Sequence, residues 1–191
     1  LTALAILSSE HHALTKEELL QQLSVYQGVL REVPYTSEVN VPADSAEALW
    51  QQALRTGKFS VQDDTMGQVI SLQDVNAIAM TYYRNNILHL MIIPGIVATI
   101  MVAKKQQTTA QLAERVQQIY PMLQKELFLS HEIDDVPLWV AAVIEELQRQ
   151  DLVTQNGETW HMASRESAQW MQLQLLARSA SETLQRYSIV L

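Results

Sequence analysis

Ile87-Leu88-His89-Leu90-Met91-Ile92-Ile93-Pro94-Gly95-Ile96-Val97-Ala98-Thr99-Ile100-Met101-Val102-Ala103 is apolar apart from His89 and Thr99. As a helix it spans roughly 25 Å, just short of a bilayer core of about 30 Å. Tyr82-Tyr83 flank one end and Lys104-Lys105 the other, an arrangement that interfacial anchors share. Pro94-Gly95 sits mid-run and is expected to bend it. Three readings stay open: a spanning helix, a helix lying in the membrane interface, and a core helix wrapped by others. The short run and its ionisable His89 favour the third, because a helix hydrophobic all round is expected of a core as much as of a membrane.

Working outward, helix signals dominate. Thr15 with Glu18 three residues on predicts a helix to about Val33, stopped by Pro34. Asp44 with Glu47 predicts another, with Ala46, Leu49, Trp50, Ala53 and Leu54 on one face and Gly57 at its end. Phe59-Ser60-Val61 and Val69-Ile70-Ser71-Leu72 read as a hairpin. A long helix is expected from about Asp74 to Lys105, then one from Thr108 to Ser130 that Pro121 kinks or splits. Asp135 before Pro137 opens a further helix. Leu152-Val153-Thr154 and Thr159-Trp160-His161 flank Asn156-Gly157, a strong turn signal. Ser164 can cap a last helix carrying Leu173, Leu176, Ala177, Ala180, Leu184 and Tyr187.

The expected fold is therefore mainly α, with two winged-helix-like helix-hairpin units around a central apolar helix. Residues 1–73 form one unit; residues 74–191 hold the central helix, the second unit and the C-terminal helix. The helix-then-hairpin order occurs over Ala46–Leu72 and again over Val136–Ala163, with negligible identity between the copies. In winged-helix proteins that order serves DNA binding. Here 13 Lys+Arg against 21 Asp+Glu give a net charge of −8, which argues against a nucleic-acid partner. The 191 residues are 48% hydrophobic and 18% charged, which excludes a solvated disordered chain. With no Cys, a disulfide scaffold, a Cys-ligated zinc and a thiol nucleophile are excluded. The opening Leu1-Thr2-Ala3-Leu4 and the apolar close Ile189-Val190-Leu191 lead us to expect an internal piece of a longer protein.

Candidate chemistry is sparse. Thr81, Asn85 and His89 fall one turn apart, with Arg84 beside them, and Arg and Asn are suitable donors for phosphate or carboxylate oxygens. Arg84, Asn85 and His89 are the candidate substrate-binding residues; bracing at the edge of a core is the competing reading. His11-His12 lack a third ligand, and the acids of His131-Glu132 and Asp134-Asp135 read as caps for the next helix, so no metal site is expected. Trp50, Trp139, Trp160 and Trp170 read as core anchors.

Around Tyr82-Tyr83-Arg84-Asn85-Asn86 the chain resembles the bacterial membrane-bound glycerol-3-phosphate acyltransferases, in the region C-terminal to their catalytic domain. Leu1–Ser8, Tyr120-Pro121-Met122-Leu123 with Glu126-Leu127-Phe128-Leu129, and Glu182–Tyr187 extend the resemblance along the whole chain. It implies an enzyme moving an acyl group from an acyl-carrier-protein or coenzyme A thioester to the 1-hydroxyl of glycerol 3-phosphate, giving lysophosphatidate. It implies no metal or organic cofactor, and a place at the cytoplasmic face of the bacterial inner membrane, peripheral or monotopic. The family's catalytic signature is a His with an Asp five positions on, the Asp orienting the imidazole that deprotonates the attacking hydroxyl. Here the residues five beyond each His are Lys16, Glu17, Pro94, Val136 and Glu166. No catalytic residue carries over, so the chain alone is expected to be inactive and to pack against a catalytic domain of the same protein. The alternative is a non-enzymatic helical or winged-helix interaction or regulatory module.

Overall fold

The computed structural model describes residues 1–65, 67–72 and 74–188, without the side chains of Asp74, Tyr187 and Ser188. The first helix, α1 (Thr2–Ser8), leads into a short strand, β1 (Ala13–Thr15). Thr15 then caps α2 (Lys16–Glu32): its hydroxyl accepts from Glu18 N at 3.2 Å, and its own N–H donates to Glu18 Oε2 at 2.8 Å. Helix α3 (Ala46–Leu54) follows, capped by Ser45 rather than the expected Asp44, since Ala48 N donates to Ser45 Oγ. Strands β2 (Phe59–Asp64) and β3 (Gly67–Leu72) form the expected hairpin, and β1 adds to it antiparallel in the order β1-β3-β2.

The same order then recurs. Helix α4 (Asp74–Lys104) leads into β4 (Gln106–Thr108), and Thr108 caps α5 (Thr109–Leu127). The cap is again reciprocal, Gln111 N donating to Thr108 Oγ1 at 3.2 Å and Thr108 N to Gln111 Oε1 at 2.9 Å. Helix α6 (Val136–Arg149) carries Pro137 in its first turn after a 3-10 turn over Ile133–Asp135. Strands β5 (Val153–Asn156) and β6 (Thr159–Met162) pair with β4 in the order β4-β6-β5. The loop here is Gly157-Glu158, because Asn156 already pairs with Thr159; Gly157, with φ +61°, takes the first loop position. The turn signal was right in place and one residue off in register.

Both internal prolines lie inside unbroken helices, Pro94 in α4 and Pro121 in α5, so Pro121 does not split its helix. The C-terminal helix, expected as one, is two: α7 (Ala168–Ser179), capped by Ser167 rather than Ser164, and α8 (Ser181–Ser188).

Helix α4 is the hub. Met91, Ile92, Ile93, Ile96, Val97, Ala98 and Met101 are buried in one cluster with residues from α1, α2, α5, α6 and α7. Its closest neighbour is α7: a Cβ on Gly95 would meet Ser179 Oγ at 2.8 Å and Ala180 Cβ at 2.9 Å, so only glycine admits this approach. Thr99 Oγ1, bonded to Gly95 O at 2.8 Å, also reaches Ala177 O at 3.1 Å. Val75–Lys104 is long and apolar enough to cross a membrane by length and composition, yet 56% of its most apolar window lies inside the protein. The run that opened the question is the middle of a core.

Candidate functional site

The helical face that joined Thr81, Arg84, Asn85 and His89 in the sequence is divided by its surroundings. Thr81 Oγ1 donates to Ala77 O at 2.9 Å, a bond within its own helix. Arg84 is buried; its Nε and Nη2 donate to Asn85 Oδ1 at 3.2 and 3.1 Å, and Nη2 also pairs with Glu182 of α8. Asn85 itself is exposed. The hydrogen bond from Arg84 holds the Glu182 carboxyl below its ordinary value, against an opposing push from burial.

His89 belongs to a different cluster. It stands edge-on to Tyr35, ring centroids 5.5 Å apart, and Tyr35 in turn meets His131 at 4.9 Å and Trp139 at 5.5 Å. His131 lies 4.6 Å from Trp139, and the Tyr35 hydroxyl accepts from Ser130 N at 2.6 Å. Desolvation lowers the His89 pKa, favouring the neutral ring. Nothing in the sequence linked Tyr35 to His89 or His131, because the contacts join a loop, a helix and a second loop far apart in the chain. His11 and His12 are exposed. Asp135 Oδ2 accepts from Glu132 N, so these acids serve the helix start. Among the described residues, no group of three or more His, Cys, Asp or Glu is placed to hold a metal ion.

Two surface features stand out. The first turns of α4 expose apolar side chains: Val75 80%, Ile78 84%, Tyr82 66% and Tyr83 59%. Beside them a pocket of about 380 Å³ opens between α1, α3, β2 and α4, lined among others by Ala3, Leu49, Ala53, Phe59, Met80 and Tyr83.

The pattern of glycerol-3-phosphate acyltransferase C-terminal regions matches residues 1–191, the whole chain. The chain belongs to this family. It is 43% identical over 192 residues to the glycerol-3-phosphate acyltransferase of Aeromonas hydrophila subsp. hydrophila, covering 100% of this chain and 23% of that relative. The chain therefore spans under a quarter of the length of the curated relative it matches. No solved structure matches it.

Within this acyltransferase C-terminal region three of the five histidines are engaged locally: His89 and His131 in ring packing, His161 with Thr159 Oγ1 at 3.0 Å. What the region offers instead is a packed core with the apolar start of α4 left exposed.

Proposed function

We propose that this region is a scaffold part of a glycerol-3-phosphate acyltransferase, docking onto the catalytic portion of the same protein through the exposed start of α4. The whole enzyme moves a fatty acyl group from an acyl-carrier-protein or coenzyme A thioester to the 1-hydroxyl of glycerol 3-phosphate, releasing lysophosphatidate, the first step of phospholipid synthesis. It works at the cytoplasmic face of the bacterial inner membrane, held peripherally or monotopically. The acid–base chemistry lies in the catalytic domain; the absence of any His followed at five by Asp in this sequence supports that division.

The observation that carries the docking face is the contrast within α4. Its middle is sealed in the core, while Val75, Ile78, Tyr82 and Tyr83 are more than half exposed on consecutive turns. Such a contiguous apolar strip marks an interaction surface. An apolar protein face suits it better than lipid, because a chain of net charge −8 is repelled by anionic membranes. The two units are further proposed to be winged-helix-like modules turned to a structural task, a reading that their shared element order supports. In the second unit, α6 is taken up by α2: Gln150 donates to Val25 O and Arg149 pairs with Glu32 at 3.0 Å, leaving that side of α6 unavailable to a DNA groove.

The test is made in the full-length acyltransferase carrying this region. Ile78→Asp and Tyr82→Asp should leave the melting temperature of the 191-residue chain unchanged and sharply lower acyl transfer by the whole enzyme. Full activity in both variants would sink the docking face. Arg84→Ala separates roles: unchanged Michaelis constants would reject a substrate contact, and unchanged yield of folded protein as well would reject a bracing one.

A further inference from the structure

Where α1 ends, α7 gives way to α8 and α4 passes beneath, a cavity of about 380 Å³ is lined by Arg84, Arg178, Ser8, Ser179, Glu10 and Glu182, among others. Two guanidiniums line one cavity of this acidic chain, and Arg186 and His12 lie close enough to act on the Glu182 carboxylate.

The two anions that face them are the more exposed members of their pairs. Arg84 has a side chain only 9% exposed and needs a counter-charge, whereas its partner Glu182 is 58% exposed. Arg178 meets Glu10 at 3.9 Å, the outer limit of an ion pair, and that glutamate is 73% exposed. A glutamate that leaves regains its hydration; a buried guanidinium that loses its anion does not. An incoming anion with more charge and more acceptor oxygens than a carboxylate can therefore compete with Glu182 for Arg84. Ser8 Oγ already donates to Leu4 O, and Ser179 Oγ to Leu176 O, so both present lone pairs and the charged donors of the cavity are the guanidiniums. Planar N–H forks of this kind match phosphate oxygens.

We propose that this junction binds a phosphate monoester dianion between Arg84 and Arg178, with Glu182, beside Asn85 Oδ1, as the internal carboxylate that occupies Arg84 in its absence. The ligand is either a free phosphate ester or the headgroup of a lipid that carries one. The chemistry of the cavity is independent of the acyltransferase reading, and its test measures binding alone.

The 191-residue chain is titrated with inorganic phosphate at ionic strength held constant with chloride, following heat and the Arg84 Nε–H resonance. Saturable binding that moves this resonance is expected. Glu182→Gln should tighten it about tenfold by removing the competitor, and Arg178→Ala should weaken it about tenfold, each a change of ~1.4 kcal/mol. Arg178 is the safer deletion, being partly exposed, while loss of the buried Arg84 threatens the fold. Glycerol 3-phosphate and a short-chain lysophosphatidate separate the sources: equal affinity assigns a free ester, and tighter lysophosphatidate a lipid headgroup. Dimethyl phosphate, a monoanion, should bind far more weakly. Equal binding of dimethyl phosphate, or affinities indifferent to both substitutions, or no saturable binding, overturns the proposal.

Discussion

The two helix-and-sheet units run through the same element order and pair their strands in the same register, but they begin differently. In the first, Leu14 sits opposite Ile70 and Val61 beyond it; in the second, Gln107 sits opposite Trp160 and Gln155 beyond it. Each short strand ends in a threonine that caps the next helix reciprocally. Yet the opening helix has 7 residues in the first unit and 31 in the second. The frame is thus specified by caps and turns, which need few residues, and is indifferent to most of what lies between. The added length of α4 carries Met91 to Met101 into the single buried cluster that holds residues of both units.

The sharpest way to break the parallel is at the central strands. Trp160→Ala removes a buried indole that also donates to Thr109 Oγ1 at 2.8 Å, and should cost about 3–5 kcal/mol in chemical denaturation. Ile70→Ala, at the equivalent place, should cost about 2–4 kcal/mol. A negligible loss at either would mean that its unit is not integral to the core. Next in size is Gly95→Ala, where the new methyl meets Ser179, Ala180 and the Leu176 carbonyl; about 1–3 kcal/mol is expected. Gly28→Ala is its counterpart on α2, where the neighbours are the flexible ends of Gln150 and Glu146. There the helical preference for alanine, about 0.5–1 kcal/mol, should offset most of the crowding and leave stability nearly unchanged. Equal losses at both glycines would undo the distinction between rigid and yielding neighbours.

Thr15→Ala and Thr108→Ala test the likeness itself. Each should cost about 1 kcal/mol, and the two should agree closely if the caps are equivalent. The smallest effect is with pH. The His89 pKa is lowered in the fold, so its contribution to stability is whole above the ordinary value of 6.5. It is lost as pH falls below that value, because the unfolded chain takes up the proton first. The melting temperature should drop over that acid interval, and less so in His89→Gln.

Much of this was legible in the sequence where a local device decides the outcome. The reciprocal cap at Thr15, the proline in the first turn of α6 and the glycine turn before β6 act within a few residues, and each marks a real boundary. The strands β1 and β4 were not legible. At three residues each they have too little alternation to register, and only pairing with a distant hairpin makes them strands. Pro121 misled for a related reason, since tertiary packing keeps α5 helical through it. The candidate residues fared similarly. Helical spacing placed Arg84 and His89 together, but it carries no information about what approaches from outside. Glu182 and Tyr35 approach from opposite ends of the chain and draw them apart.

The packing of α1 against α7 has a consequence for how the protein is made. Within this region α1 can pack on α2, α3 and α4, and α4 on α5 and α6, as each emerges, but the side of each that meets α7 stays uncovered until α7 has been synthesised. Nascent chains halted before about residue 179 should therefore expose the α7-facing side of α4 and recruit holding chaperones.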